Sequence, residues 1–414
     1  MNCRHCQSKL ELSLVDLGSA PLSNGYLSAS DLIAPEPWLP LNVMVCTRCW
    51  LAQTGVGVGE ADVFAADYAY FSSYSSSWLQ HAKDYVDAVV QRFGLTRDSR
   101  VVEVAANDGY LLQYVKALDI PCLGIEPTAS TARAARAKGI DTVEDFFGVR
   151  LARELASRDG QSDLVVANNV LAHVPDIDDF VAGFRVLLKP SGVATFEFPH
   201  LLRLLTENQF DTVYHEHFSY LSLTAVEAIF AHNGLQVFDV QSLTTHGGSL
   251  RVFAQHASAG PHAVSPSVAT MLRDEADAGI ATPAYYAGFQ GRAEKVKNDL
   301  LLFLIDAKRS GKKVGAYGAA AKGNTLFNFA GVRPDLVPWV VDRNPAKQGH
   351  FLPGSRIPIH GVETICEERP DFLLILPWNL KDEVMEQLRF VADWGCVLVT
   401  AVPELRKHFL EPRT

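Results

Sequence analysis

Two stretches of this 414-residue chain alternate short apolar runs with helical patterns, and that alternation limits the fold more than any other feature. In the first stretch, RVVEVAA (100–106), PCLGIE (121–126), SDLVVAN (162–168) and GVATFEF (192–198) are short, apolar and rich in β-branched residues. Such runs read as strands buried on both faces. The segments between them, such as TASTARAARAKG (128–139) with Gly139 as a C-cap, read as helices. Strands and helices in strict alternation define an α/β fold with a doubly wound parallel sheet. LQVFDVQSL (235–243) and SLRVFAQHA (249–257) should close that sheet at one edge. A second series begins with KKVGAYGAAAKGNTLFNFAG (312–331), which reads as strand, glycine turn and helix. VPWVVD (337–342), DFLLILP (371–377) and CVLVTAVP (396–403) continue it.

At roughly 150 residues per domain the chain needs two or three cores. The boundaries expected are a small irregular module over 1–60, a first α/β domain over 61–260, a helical connector over 261–310 and a second α/β domain over 311–414. Trp78, Leu79, Ala82, Tyr85, Val86, Val89, Val90 and Phe93 follow helical spacing at the start of the first domain. A net charge of −10 disfavours nucleic acid as the partner, since phosphate backbones select basic faces. No run of about 18 apolar residues is present, so no membrane-spanning helix is expected. MNCRHCQSKLELS at the N-terminus has no apolar signal region, and the cytoplasm is the expected location. No oligomeric state follows from the sequence, and a monomer is compatible with it.

Four of the seven cysteines form the pairs Cys3-x2-Cys6 and Cys46-x2-Cys49. Two knuckles of this spacing can set four thiolates tetrahedrally around Zn²⁺, and a closed set of four makes the metal structural. Cys122, Cys366 and Cys396 lie among apolar neighbours and read as buried thiols.

The turn after the first strand of an α/β sheet is where nucleotides bind. Here it runs from Glu103 through Ala105, Asn107 and Gly109 to Tyr110. Glu126, followed by Pro127, ends the next strand, at the distance where an acid meets a ribose diol. Spacing alone leaves a dinucleotide and adenosylmethionine both open. Asp145-Phe146-Phe147 follows a short third strand: the acid could accept from an adenine amino group with an aromatic on the ring, or could cap the next helix. Asn168, Asn169 and His173 follow the fourth strand, at the edge that faces the ligand crevice. The asparagines could bind cofactor or substrate oxygen, and His173 could do so or simply pack.

The densest cluster is Tyr214-His215-Glu216-His217-Phe218-Ser219-Tyr220. It does not match HExxH, so a proton-abstraction set fits better than catalytic zinc: an imidazole base, an orienting carboxylate, and phenols for a developing enolate. In THGGSLR (245–251) the glycines read as a hairpin turn, and Arg251 could reach a phosphate. The turn GAYGAAAKGNT (315–325) offers N–H groups and Lys322 to an anion.

These motifs together resemble one family. CxxC…CxxC, VEVAANDGYLL, LGIEP, NNVLAHVPD, EFPH, YHEHFSYLS, THGGSLRV and GAYGAAAKGNTLFNF are similar, in order, to the three-domain sugar C-methyltransferases of deoxysugar pathways, over nearly the whole chain. The resemblance implies a zinc module, a central class I methyltransferase domain that binds S-adenosylmethionine, and a C-terminal Rossmann-like domain. It implies methylation of a carbon beside the keto group of a dTDP-linked 4-keto sugar. Carried onto this chain, it makes Glu126 the ribose ligand and His217 the base, with Tyr214, Glu216 and Tyr70 beside it. It sets Asn168 near the transferring methyl and uses Lys322 and Asn324 for the diphosphate; Asn169, His200 of EFPH and Arg251 complete the expected acceptor site. Ala105, Ala106 and Asn107 stand where ordinary methyltransferases carry glycines. The competing readings are a methyltransferase for a non-sugar acceptor, an NAD-dependent sugar-nucleotide oxidoreductase, which lacks its GxGxxG at both turns, and a binding scaffold with no catalysis.

Overall fold

The computed structural model describes residues 1–55 and 71–411. Tyr70, expected beside the base, lies outside the described residues. The N-terminal strands are β1 (Leu12–Ala20), β2 (Leu39–Val45) and β3 (Ala52–Thr54). The central strands are β4 (Val101–Val104), β5 (Cys122–Ile125), β6 (Thr142–Val143), β7 (Ser162–Asn168), β8 (Leu188–Pro199), β9 (Ser219–Tyr220), β10 (Leu235–Leu243) and β11 (Ser249–His256). The C-terminal strands are β12 (Val314–Tyr317), β13 (Val340–Val341), β14 (Ile359–His360), β15 (Phe372–Ile375), β16 (Val397–Thr400) and β17 (Arg406–His408).

The central sheet has the order β10-β11-β8-β7-β4-β5-β6. β8, β7, β4, β5 and β6 run parallel, and β11 and β10 add an antiparallel edge. Because helices cover both faces, β4 is buried along its whole length. The C-terminal sheet repeats the plan as β14-β13-β12-β15-β16, with β17 antiparallel. Both sheets reverse their winding beside their first strand, and such a switch point opens a ligand crevice. The helix Ser76–Phe93 forms as its spacing requires. The Ser75 side chain accepts from the Trp78 N–H, Gly94 closes the helix in the left-handed region, and Ala82, Tyr85, Val86 and Val89 are buried.

The first 55 residues are more regular than their composition implies. They form an antiparallel sheet β1-β2-β3 to which β9, from the Tyr/His-rich cluster, adds the last strand. The N-terminal module thus grips the cluster directly. Arg4 strengthens the grip, donating to the carbonyls of Thr54 and Phe218 at 3.0 Å each. Among the described residues no helix is long and apolar enough to cross a membrane.

Candidate active site

A cavity of about 410 Å³ lies at the C-terminal ends of β4, β5 and β7, and all three parts of the chain contribute to its wall. At one end is the turn after β4. Ala105 and Asn107 both adopt left-handed backbone, with φ of 58° and 49°. Such strain in non-glycine residues persists only where the surroundings enforce it. The enforcing group is Glu126: its carboxylate accepts from the Asn107 N–H at 2.9 Å and the Thr128 N–H at 3.0 Å, and the Thr128 hydroxyl donates to it as well. A carboxylate so fixed at the end of β5, beside a bare backbone turn, suits the two hydroxyls of a ribose. Tyr110, Pro127, Asp145, Phe146 and Phe147 line the same end. Asp145 is no helix cap: Gly148 precedes the helix Val149–Asp159, and Asp145 pairs with Arg150 at 2.6 Å. Asn168 and Asn169 line the middle. Asn168 Oδ1 and both amide atoms of Asn169 are buried without a protein partner, an arrangement that a polar ligand would satisfy.

The other end holds His217, Tyr214, Glu216 and His173. His217 Nδ1 lies 2.8 Å from the Thr212 carbonyl. A carbonyl only accepts, so Nδ1 carries the proton, and in the neutral ring Nε2 keeps its lone pair. Burial, then the neighbouring His173, pushes His217 well below the ordinary imidazole value, so the ring is neutral at pH 7. Tyr214 lies over the imidazole with ring centres 4.0 Å apart, and His173 meets its edge at 4.6 Å. Burial pushes His173 down to about 4, against its bond to the Glu216 carbonyl. Burial raises the Glu216 carboxyl to about 7, against an Asn24 amide that donates to it at 3.0 Å. Above this group sits the turn after β12. Its Lys322 contacts Asn379 Oδ1 at 2.7 Å, and Lys347 binds the Ala319 carbonyl at 2.8 Å. Both lysines line the cavity.

The remaining predicted residues do not line it, each for a physical reason. Glu103 lies under the turn within buried β4, where burial raises its carboxyl well above the usual range. Gly109 answers to packing: a Cβ there would stand 2.4 Å from Ile140 Cδ1. Arg251 sits opposite Glu197 on β8 and pairs with it at 2.9 Å, as a buried guanidinium must, so it does not reach a phosphate. His200 is spent on Glu275 at 2.7 Å. Asn324 is buried and donates to the Ser23 carbonyl at 3.3 Å. Cys366 is exposed, against the expectation of a buried thiol, whereas Cys396 is buried. Conversely, Asn24, Trp78, His246 and Lys347 line the cavity unforeseen as ligand residues. Trp78 was legible only as a helix-face aromatic. Asn24 and Lys347 lie in loops with no motif of their own.

The Sγ atoms of Cys3, Cys6, Cys46 and Cys49 all lie within 4.8 Å of one another. Cys3 and Cys49 are 3.5 Å apart, and Cys6 and Cys46 are 3.4 Å apart. Tetrahedral zinc with Zn–S near 2.3 Å requires about 3.8 Å between sulfurs, so the cluster fits the ion. Gln53 donates to Cys3 Sγ at 3.2 Å from beneath, support of the kind that orients metal ligands.

The crevice at the switch point, its acid-braced turn and the four-thiolate knuckle define a class I methyltransferase with a zinc-binding module. Family models agree along the chain. "Putative zinc binding domain" matches residues 3–64, "Methyltransferase domain" 78–240, and "C-methyltransferase C-terminal domain" 244–403. The C-methyltransferase NovU of Streptomyces niveus is 37% identical over 404 residues, which cover 98% of this chain and 96% of NovU. The chain therefore belongs to the S-adenosylmethionine-dependent C-methyltransferase family. Among solved structures, the magnesium protoporphyrin IX methyltransferase of Synechocystis with bound SAH is 15% identical, covers 42% of this chain and 82% of its own, and has a TM-score of 0.34. A SAM-dependent methyltransferase from Archaeoglobus fulgidus is 14% identical, covers 42% and 93%, and has a TM-score of 0.33.

Proposed function

We propose that the enzyme methylates the carbon next to the keto group of a dTDP-linked 4-keto-deoxysugar, with His217 as the base. The observation that carries this reading is the His217–Thr212 hydrogen bond, which leaves Nε2 as a lone-pair acceptor inside the cavity. The keto group acidifies the neighbouring C–H. His217 Nε2 takes that proton, and the C–H electron pair moves into the enolate. Tyr214 and the neutral form of Glu216 supply donors for the enolate oxygen, a group that gains charge only as the reaction proceeds. Bound S-adenosylmethionine supplies an electrophilic methyl on a sulfonium. Glu126 and the turn after β4 would hold its ribose, and Asn168 offers a buried amide oxygen without a protein partner in the cavity wall. Lys322 and Lys347 stand where two cations would meet a nucleotide diphosphate at the acceptor end.

The test is His217→Asn. Its affinity for adenosylhomocysteine, read by titration calorimetry, should equal that of the wild type. Turnover of a dTDP-4-keto-6-deoxysugar should fall by a factor of about 10² to 10⁴ or more. Near-normal turnover would remove His217 as the base.

A further inference from the structure

Trp378 does not line the cavity, yet it touches three of the elements that do. It opens a short turn, Trp378–Leu380, just beyond β15, and is 8% exposed. Its indole Nε1 donates to Asp211 Oδ2 at 2.7 Å. Asp211 is fully buried in the turn Phe210–Thr212, and the next carbonyl in that turn, Thr212, is the one that fixes the His217 proton on Nδ1. The ammonium of Lys322 stands 4.7 Å over the Trp378 ring. Gly247, next to the cavity residue His246, packs so closely that a Cβ there would lie 2.6 Å from Trp378 Cη2. The same base-bearing turn is held from the C-terminal domain a second time, where the Thr325 hydroxyl donates to the Val213 carbonyl at 3.0 Å.

A buried indole N–H needs an acceptor, but any backbone carbonyl would serve, whereas burying a carboxylate for it is costly. Here the indole N–H donates to the Asp211 carboxylate, which also feels the charge of Lys322, and Asp211 stands one residue before the carbonyl that orients the base. We propose that Trp378 is a positioning residue that couples the acceptor-side cation Lys322 to the orientation of His217. Through it, the C-terminal domain takes part in setting the base and does more than hold the acceptor. This inference rests on the reading of His217 as the base.

Trp378→Phe, made in the full-length zinc-loaded protein, removes the N–H and keeps the apolar ring. Misplacing a reacting group by about 1 Å costs on the order of 100-fold, so kcat should fall about 10- to 100-fold. Adenosylhomocysteine affinity and KM for a dTDP-4-keto-6-deoxysugar should stay within about two-fold, because the indole does not line the cavity. Nitrogen-15 spectra of histidine-labelled protein give a readout independent of turnover. The His217 signal, assigned by its loss in His217→Asn, should show one Nδ1–H tautomer in the wild type and a mixture in Trp378→Phe. Asp211→Asn retains an oxygen for the indole to reach and should keep the single tautomer. A Trp378→Phe protein with wild-type kcat and one tautomer would overturn the proposal. Should His217→Asn turn over normally, the base assignment falls, while the tautomer spectra still decide whether Trp378 sets the ring.

Discussion

The chain builds the same acid-braced turn twice and surrounds it with different charges. After β4, the Asn107 N–H donates to Glu126 at the end of β5. After β12, the Ala319 N–H donates at 2.8 Å to Asp342, which follows β13 at the equivalent place. In the first turn the acid itself lines the cavity, and no lysine does so there. In the second, Asp342 does not line the cavity but pairs at 3.7 Å with Lys347, which lines it together with Lys322. In both places a bare backbone turn is braced by an acid from the next strand. On the proposed reading, the charge around it decides whether a neutral ribose or an anion is received.

Four outcomes test that contrast, from the largest effect to the smallest. Zinc removal should act first on the acceptor side, because β3 of the zinc module pairs with β9 of the Tyr/His-rich cluster, whereas the turn after β4 is braced by Glu126. Chelated protein should lose turnover by at least about 100-fold, since the loop of the proposed base would be misplaced, and calorimetry should still register adenosylhomocysteine. Equal loss of both would make the module a support for the whole fold.

Glu216 lines the same cavity as residues of both turns. Burial raises its carboxyl from the ordinary 4.5 to about 7. The folded state therefore holds a proton that the unfolded chain has lost within that window, and stability falls as pH rises through it, by roughly 3 kcal/mol from this group. Glu216→Gln should accordingly gain on the wild type between pH 5 and pH 8 in thermal denaturation. A constant difference across that range would mean that the carboxyl is not so held.

Glu126→Ala removes a charged acceptor whose hydrogen bonds are each worth about 1.5–3 kcal/mol. Adenosylhomocysteine should bind about 10- to 100-fold more weakly, with KM for the acceptor little changed. Lys347→Met should do the reverse, raising acceptor KM about ten-fold, the equivalent of ~1.4 kcal/mol, with cofactor affinity intact. If either variant moved both constants alike, the division of labour between the turns would fail.

Much of the first turn was legible in the sequence, and far less of the second. β7 begins and ends where its apolar run does, because a strand buried on both faces leaves an almost unbroken hydrophobic record, and the edge strand β10 matches its run through an alternating one. Glu126 could be found because its distance from the first strand is set by the βαβ unit itself. The cysteine spacing likewise announced its cluster. The acceptor side is assembled from segments far apart in the chain. Asn24 reaches Glu216, and Trp378 reaches Asp211, across 192 and 167 residues. No local pattern records such meetings. Arg251 misled for a related reason: a cation after a glycine turn looks like an anion ligand until the register of β11 against β8 sets it opposite Glu197.

The claim at the centre of this account is that His217 removes a proton from the carbon beside a ketone. Proton exchange isolates that step from methyl transfer. A dTDP-4-keto-6-deoxysugar held with the enzyme and adenosylhomocysteine in D₂O should take up deuterium at that carbon, as followed by proton NMR. The wild type should catalyse the exchange, and His217→Asn should reduce it to the uncatalysed background. Exchange by His217→Asn at the wild-type rate would contradict the claim.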